Sequence, residues 1–170
     1  MISLKKCNIN DIEQLQELCK TTYINAFHTI FNVEDVKLYA TKKYSIENLR
    51  AELEDQDPQQ QSYISYLIVN QDIIGYIKIN NYSNKNSLDI DRLYLLDKFK
   101  GMGYGNKVLQ YVESTAKENG KTCLTLTVLK LNTPAISFYE KNQFTILDYQ
   151  ENIILGNNSY VLLHMIKYIK

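Results

Sequence analysis

Three closely spaced glycines are the residues of this chain with the clearest chemical meaning. They are Gly101, Gly103 and Gly105, half of the six glycines in the sequence. Glycine lets the main chain approach a ligand closely, and the N–H groups at a helix N-terminus, together with the helix dipole, bind anions. We therefore expect the N–H groups of residues 101–105, those of Met102 and Tyr104 included, to bind a pyrophosphate, with Lys100 adding positive charge. The alternative is a glycine-rich turn that only reverses the chain.

Two other glycine-rich phosphate motifs fit this segment poorly. A dinucleotide fingerprint requires the first strand of a parallel unit and an acidic residue about 20 residues further on. A Walker A loop requires Gly-Lys-Ser/Thr, which does not occur after these glycines. We therefore expect the pyrophosphate to belong to a ligand other than those bound by dinucleotide fingerprints and Walker A loops.

A glycine-rich segment needs a strand before it and a helix after it, and the surrounding pattern predicts both. Strands are predicted at Ile2–Cys7, Tyr63–Val69, Ile73–Tyr82, Ser87–Leu95, Cys123–Val128, Thr145–Tyr149 and Tyr160–Ile166. Helices are predicted to begin at Asn10 (with Glu13 completing a capping box), at Asn32, at Ser45, after the glycines and at Thr133. Loops are predicted at 55–62 and 83–86. The fold class is α/β (α+β), a mixed, mostly antiparallel sheet of six to seven strands with helices on both faces.

Composition narrows the class of protein. The 170 residues are expected to form one domain. A formal net charge of +0 and no basic stripe argue against a nucleic-acid partner. No apolar run approaches the roughly 20 residues that span a bilayer, and no signal peptide is evident. Three scattered cysteines suit neither a disulfide framework nor a zinc site. We expect a cytoplasmic protein with reduced thiols, no metal and no membrane partner.

Two segments, Lys100-x-x-Gly103-x-Gly105 and residues 132–144, together resemble the motifs of the GCN5-related N-acetyltransferases. Lys100-x-x-Gly103-x-Gly105, after a strand that ends Leu93-Tyr94-Leu95, resembles the family's acetyl-CoA motif, Arg/Gln-x-x-Gly-x-Gly/Ala. Residues 132–144, Asn-Thr-Pro-Ala-Ile-Ser-Phe-Tyr-Glu-Lys-Asn-Gln-Phe, resemble its second signature, Asn-x-x-Ala-x-x-Phe-Tyr-x-x-x-Gly-Phe. The resemblance implies the family's fold across residues 1–170, acetyl-CoA as cosubstrate and acetyl transfer to an amine.

The chain departs from these motifs at two positions. Lys100 stands where Arg or Gln is usual, which keeps the charge but loses the planar fork of donors. Gln143 stands where glycine is usual at a helix end, and glutamine disfavours the left-handed conformation expected there. We expect this second departure to lower stability without abolishing function.

The resemblance also implies roles for individual residues. The strand end Leu93, Tyr94 and Leu95 would lie along the cofactor, with a backbone amide near Leu95 donating to the thioester carbonyl. Tyr139 would contact the cofactor and protonate the departing thiolate. Asn132 would contact the pantetheine arm, cap a helix, or do both. Lys141 would reach a CoA phosphate or remain a surface lysine.

An alkylammonium acceptor must lose a proton before its nitrogen can attack. Asp91 is the candidate base, acting through water, and Asp89 is the less favoured one. Both are predicted on one strand face, where they could also be solvated surface charges or attract a cation, while Tyr94 is predicted to point to the opposite face and pack. Acidic residues could form a path for a cationic substrate or an ordinary solvated helix face: Glu34, Asp35, Glu47 and Glu52. His28 could line the substrate channel, or cap a helix.

The N-terminal half is similar to a narrower group, the bacterial polyamine (spermidine/spermine) N-acetyltransferases. The similar stretches include Tyr23-x-x-Ala26-Phe27, Glu47-x-Leu49-x-x-Glu52-Leu53 and residues 87–95. This resemblance implies a polyamine acceptor. The alternatives are another small-molecule amine, a protein amine, or a CoA-binding regulator without turnover. The oligomeric state stays open, with a homodimer among the alternatives.

Overall fold

Seven strands form one sheet in the order β1-β2-β3-β4-β5-β7-β6 in the computed structural model, which describes residues 2–55, 60–82, 85–155 and 158–169. The strands are β1 Ile2–Lys6, β2 Gln60–Val69, β3 Asp72–Tyr82, β4 Ser87–Leu95, β5 Cys123–Leu129, β6 Thr145–Leu155 and β7 Asn158–Tyr168. The helices are α1 Ile12–Phe27, α2 Val33–Lys43, α3 Ile46–Glu54, α4 Tyr104–Glu118 and α5 Thr133–Lys141, with 3₁₀ turns at Ile9–Asp11 and Asp97–Phe99.

Only the central pair of the described strands is parallel. β4 pairs with β5 in parallel, and the other five neighbouring pairs are antiparallel. Strands β2, β3 and β4 form the predicted meander. The structure thus confirms a mixed, mostly antiparallel sheet, and its strand count lies at the upper end of the prediction.

Helices cover both faces of the sheet, as predicted. The apolar side of α4 packs with Tyr139 of α5 into one buried cluster. The buried residues of α1, α2 and α3 form a second cluster on the opposite face, which includes Tyr44, Tyr66 and Tyr76. The sheet therefore lies between two helical layers, each with its own core. In the described part of the chain, no helix is long and apolar enough to cross a membrane.

The beginning of the first helical segment differs from the prediction. The capping box is formed by Asn8 and Asp11, not by Asn10 and Glu13. The Asn8 side chain accepts from Asn10 N at 2.9 Å, and Asp11 Oδ2 accepts from Asn8 N at 3.0 Å. A short 3₁₀ turn therefore precedes α1. The Asn8–Asp11 pair has the same spacing and the same polar chemistry as the predicted pair, and occurs two residues earlier.

Three strands exceed their predicted ranges by more than one residue. β2 begins at Gln60, inside the predicted loop 55–62, of which residues 56–59 lie outside the described residues. The turn predicted at 83–86 likewise lies partly outside them. β6 continues to Leu155, and β7 begins at Asn158 and continues to Tyr168. Alternating hydrophobicity predicts only part of each strand. Backbone pairing with the neighbouring strand continues the strand beyond that part.

The end of α5 has the conformation that the family motif assigns to glycine. Gln143 has a φ of 70°. Its N–H donates to Glu140 O at 2.9 Å and the N–H of Phe144 donates to Tyr139 O at 3.0 Å, the two hydrogen bonds of a Schellman motif. The rings of Phe144 and Tyr139 are in contact, with centroids 5.5 Å apart. The turn therefore positions the Tyr139 ring, and an exposed glutamine holds a conformation that costs about 1–2 kcal/mol for residues with a Cβ.

Replacing Gln143 with glycine should stabilise the protein. Relief of the left-handed conformation should add about 1 kcal/mol, which raises Tm by roughly 2–4 °C in a domain of this size. Thermal unfolding measures the change. The matched control is Gln110→Gly, at an exposed site within α4, which should lower stability by about 1 kcal/mol. A lower Tm for Gln143→Gly would contradict the strain assigned to this position.

Candidate active site

The parallel pairing of β4 and β5 ends part-way along both strands. It joins residues 87–90 to residues 123–126, while the strands continue through 91–95 and 127–129. The N–H of Leu96 donates to Ile74 O on the β3 side at 2.9 Å. Since successive N–H groups of a strand point to opposite edges, the amides of Leu93 and Leu95 face the opening between β4 and β5. The candidate donor near Leu95 therefore lies at an open sheet edge.

A β-bulge at Asp91 coincides with the end of this pairing. Arg92 is paired with Lys78 and Ile90 with Ile79, which leaves Asp91 as the extra residue. The extra residue shifts the alternation of side chains by one position. For this reason Ile90 before the bulge and Leu93 after it pack against the same core cluster.

The predicted direction of the Tyr94 side chain is wrong, because the bulge shifts the alternation along β4. A regular strand would place Tyr94 on the face opposite Asp91, whereas the structure has both side chains lining one pocket. Leu93 and Leu95 pack into the cluster on the other face, next to α4 and α5. The end of β4 therefore directs Tyr94 toward the pocket, and Leu93 and Leu95 toward the cluster that contains α4 and α5.

The glycine segment forms an open cradle at the N-terminus of α4. Gly101 and Gly103 have φ of 75° and 79°, and Gly103 is the N-cap of the helix. The first helical hydrogen bond is from Lys107 N to Gly103 O at 3.3 Å. No described residue accepts a hydrogen bond from the N–H groups of residues 101–106. A Cβ built on Gly101 or Gly103 would meet nothing within 4 Å, so the space in front of these amides is open and suits a pyrophosphate.

Gly105 has a different function from the other two glycines. A Cβ at this position would lie 2.9 Å from Cζ of Phe138 on α5. Asn142 Nδ2 also donates to Asn106 Oδ1 at 3.0 Å, which links the two helices. The missing side chain at Gly105 therefore allows α4 and α5 to approach, and its N–H remains one of the unpaired amides of the cradle.

The side chains around the cradle are mostly occupied with structural contacts. Lys100 Nζ lies 2.6 Å from Asp97 Oδ1, so its charge is shared with a carboxylate. Met102 is exposed, and the Tyr104 ring packs against Phe99 with centroids 6.3 Å apart. These residues contribute to the cradle chiefly through their backbone.

The second motif places Asn132 and Lys141 at the two ends of α5. Asn132 is the N-cap and accepts from Ala135 N at 3.3 Å, which confirms the capping role predicted for it. Lys141 is exposed in the last turn of the helix. Their contacts with the cofactor remain predictions.

Tyr139 is buried in the core cluster against which Leu93, Leu95 and Tyr104 also pack. Its ring contacts those of Phe138 and Phe144, with centroids 5.1 and 5.5 Å away. Burial raises the pKa of the Tyr139 phenol, so it stays protonated at neutral pH, as a proton donor must. Burial also raises the pKa of Tyr94, and the phenols of Tyr44 and Tyr139 add to that shift.

A pocket of about 240 Å³ lies on the α1/α2 side of the opening. Five aromatic side chains form much of its wall: Tyr23, Phe27, Phe31, Tyr39 and Tyr94. Its polar lining comprises Lys43, Asp91, Arg92 and Thr127. Because Asp91 and Thr127 are the first residues of β4 and β5 beyond the paired segment, the pocket and the opening are continuous. We treat it as the candidate acceptor pocket.

Sequence reasoning missed most of this lining. Tyr23 and Phe27 lie on the buried face of α1, and the same face also borders the pocket. Lys43 gives no signal in the sequence, because a lysine at the end of a helix is usually solvated. The folding of α2 against α1 brings it to the pocket.

A cluster of four charged side chains lies beside the bulge. Arg92 donates two hydrogen bonds to Glu52, at 2.7 and 2.9 Å. Lys78 Nζ lies 3.2 Å from Glu52 Oε2 and 3.3 Å from Asp91 Oδ2. Arg92 Nε is also 3.3 Å from Asp91 Oδ2, without hydrogen-bond alignment. Burial opposes the charge of Arg92, but Glu52 outweighs it and raises the Arg92 pKa. The cluster therefore fixes Asp91 beside the pocket as an ion-paired carboxylate.

Asp89 is placed differently from Asp91. Its carboxylate accepts from Thr125 Oγ1 at 2.9 Å and from Asn80 Nδ2 at 3.3 Å. Burial raises the Asp89 pKa against the effect of these hydrogen bonds. The prediction of a solvated surface charge is wrong for this residue, because the side chain joins three neighbouring strands, and it is not part of the pocket lining.

The acidic path predicted for a cationic substrate is not assembled in the pocket wall. None of its four predicted members lines the pocket. Glu52 is bound by Arg92 and Lys78, and Glu34 lies 2.9 Å from Lys37 Nζ. Asp35 and Glu47 are exposed in the first turns of α2 and α3. His28 is exposed at the C-cap of α1, with Nδ1 3.1 Å from Asn25 O, which agrees with its capping alternative.

Comparison with known proteins agrees with this geometry. The family model described as "Acetyltransferase (GNAT) family" matches residues 22–144, from α1 to the end of the second motif. The chain belongs to this family. The prediction from the two motifs is thereby confirmed: the chain is an acyltransferase of the N-acetyltransferase kind, which takes its acetyl group from acetyl-CoA.

Individual relatives span nearly the whole chain. A spermidine N(1)-acetyltransferase from Thermoplasma acidophilum is 28% identical over 151 residues, which are 86% of this chain and 90% of that protein. A structure of a PaiA N-acetyltransferase from the same organism, in complex with coenzyme A, has a TM-score of 0.79 at 24% identity and covers 99% of both chains. The ribosomal-protein-S18-alanine N-acetyltransferase from Escherichia coli has a TM-score of 0.72 at 14% identity, over 99% of this chain and 94% of its own. The two solved structures establish the fold.

Gly103→Ala should weaken acetyl-CoA binding. The added methyl group would enter the open space in front of the cradle amides and displace a phosphate oxygen. Loss of one charge-assisted hydrogen bond, worth about 1.5–3 kcal/mol, corresponds to roughly 10- to 150-fold in Kd. Isothermal titration calorimetry with acetyl-CoA measures this change.

Gly120→Ala is the matched control for that change. Gly120 also has a positive φ, 67°, with nothing within 4 Å of a built Cβ, but it lies at the other end of α4. Both variants should lose about 1–2 kcal/mol of stability from the left-handed conformation, while only Gly103→Ala should lose affinity. Equal affinity in the two variants would show that the cradle does not hold the pyrophosphate.

Proposed function

We propose that this enzyme transfers the acetyl group of acetyl-CoA directly to a primary amine, and that the acceptor is a polyamine such as spermidine or spermine. The observation that carries the proposal is the opening between β4 and β5. It has the amides of Leu93 and Leu95 on one edge, the cradle beyond the end of β4, and an aromatic pocket on the α1/α2 side. Donor and acceptor sites therefore meet at one break in the sheet.

The chain's own residues supply the groups that the transfer requires, and bound acetyl-CoA supplies the activated thioester. The amides of the cradle hold the pyrophosphate. The N–H of Leu95 donates to the carbonyl oxygen, where negative charge develops. The Tyr139 phenol, kept protonated by burial, gives its proton to the sulfur that leaves. Asn132 and Lys141 contact the rest of the cofactor.

Asp91 is the candidate for handling the proton of the acceptor amine. It lines the pocket at the edge of the opening, where a water between its carboxylate and the ammonium would receive the proton. Its ion pairs with Lys78 and Arg92, both at 3.3 Å, hold the carboxylate in place.

Two observations support a polyamine acceptor. The similar spermidine N(1)-acetyltransferase spans nearly the whole chain. The pocket wall is rich in tyrosine and phenylalanine, whose ring faces attract alkylammonium groups by about 0.5–2 kcal/mol each.

An amine panel tests the proposal directly. Purified enzyme and acetyl-CoA are mixed with spermidine, spermine, a lysine peptide, a peptide with a free N-terminus and an aminoglycoside, and released thiol is measured. We expect release with spermidine or spermine. Release only with the other amines would replace the polyamine by the acceptor that reacts. No release with any of them, although acetyl-CoA raises Tm, would indicate a CoA-binding regulator.

Tyr139→Phe should slow the reaction about 10²- to 10⁴-fold in kcat, because the thiolate would leave without a proton donor. The Kd of acetyl-CoA should stay nearly unchanged, since the ring still fills its place between Phe138 and Phe144. Single-turnover kinetics and calorimetry separate the two effects. Tyr111→Phe, which removes an exposed phenol from α4, is the control. Wild-type kcat for Tyr139→Phe would exclude it as the acid.

A further inference from the structure

The candidate acceptor pocket contains a primary amine that belongs to the protein. Lys43 is the last residue of α2, and its side chain lines the pocket together with Asp91 and Tyr94. Its Nζ lies 5.7, 5.6 and 5.8 Å from the ring centroids of Tyr23, Tyr39 and Tyr44. Three ring faces thus surround this ammonium, as they would the ammonium of a bound alkylamine.

The amine of Lys43 is not held by an ion pair within the described residues. The two carboxylates closest to the pocket, Glu52 and Asp91, are bound by Lys78 and Arg92. No described carboxylate lies within 4.0 Å of Lys43 Nζ. The described contacts of the Lys43 amine are thus with the three tyrosine rings and not with a carboxylate.

The burial of Lys43 makes its neutral, nucleophilic form easier to reach. Burial lowers the Lys43 pKa, and the nearby charge of Arg92 lowers it further. A lysine must lose its proton before it can attack a carbonyl, and a desolvated lysine does so at lower pH. Although the carboxylates of Asp91 and Glu52 oppose this shift, the Lys43 amine loses its proton more readily than an exposed lysine does.

Lys43 lines the same pocket as residues on both edges of the opening. The Tyr23 ring, which borders Lys43 Nζ, has its centroid 6.3 Å from that of Tyr94 on β4. Thr127 on β5 lines the same pocket from the other edge of the opening. The Lys43 amine and the two edges of the opening therefore belong to one cavity.

We propose that Lys43 is itself an acetyl acceptor, so that the enzyme acetylates its own Lys43 Nζ when no other amine occupies the pocket. This rests on the proposed function, because the donor is acetyl-CoA held in the cradle. The neutral amine attacks the thioester carbon, the C–N bond forms, the C–S bond breaks, and the proton lost by nitrogen ends on the departing thiol. The products are N-acetyl-Lys43 and free CoA. The acetylated side chain is neutral, so one positive charge is removed from the pocket wall.

Intact-protein mass spectrometry tests this modification. The full-length enzyme is first treated with a lysine deacetylase and checked by peptide mapping, then incubated with acetyl-CoA without any amine. We expect a gain of one acetyl group per chain, located on Lys43. Its rate should exceed acetylation of the urea-unfolded chain at least about 100-fold, because positioning two reactants contributes more than that. Added spermidine should slow the modification by competing for the pocket.

Two arginine variants provide the controls. Lys43→Arg keeps the positive charge but should abolish the mass gain, while Lys42→Arg, at the exposed neighbouring lysine, should gain one acetyl group like the parent protein. Circular dichroism confirms that each variant is folded. Equal acetylation of Lys43 and the exposed lysines, or a rate unaffected by unfolding, would overturn the inference.

The outcomes distinguish this inference from the proposed function. If spermidine releases CoA and Lys43 stays unmodified after prolonged incubation without amine, only the inference is wrong. If Lys43 is acetylated and no member of the amine panel releases CoA, the proposed acceptors are wrong and the inference stands. If neither occurs, both are wrong.

Discussion

The site depends on the place where β4 stops pairing with β5. Two adjacent strands normally satisfy each other's backbone groups along their shared length, and an unpaired edge inside a sheet is costly unless a ligand or water replaces the neighbour. Here the pairing covers four residues on each strand and ends beside the bulged Asp91. Every component of the site is arranged around this break: the unpaired amides of β4, the cradle of α4, the buried Tyr139 and the aromatic pocket.

The bulge itself is held by charges that lie far apart in the sequence. Arg92 on β4 is bound bidentately by Glu52 on α3, 40 positions earlier, and Lys78 on β3 links the same glutamate to Asp91. A buried ion pair contributes little net stability, but loss of one partner leaves an uncompensated charge and costs about 3–5 kcal/mol. The cluster is therefore better understood as a device that fixes the conformation of β4 than as a source of stability. It also explains why Glu52 does not serve as part of an acidic substrate path.

What the sequence could predict was local. The glycine segment, its helix and the second motif are each encoded within about a dozen consecutive residues. The succession of strands along the chain follows from alternating hydrophobicity and turn residues. The Asn8 cap was missed because a neighbouring pair offers the same spacing. The direction of Tyr94 was missed because a bulge depends on the pairing of two strands, and Lys43 was missed because its surroundings come from α1 and α2 folding together. The motifs could be predicted because each is encoded locally. The pocket could not, because its lining comes from segments that are distant in the sequence and meet only in the fold.

The shortness of the central ladder also has a mechanical consequence. Strands β1–β4 and β5–β7 are two antiparallel leaves with extensive pairing inside each, joined by a seam of four parallel pairs. Spreading the leaves apart breaks few interstrand hydrogen bonds, so the sheet is most compliant along the opening between β4 and β5. A seam paired over the full length of both strands would resist the same movement.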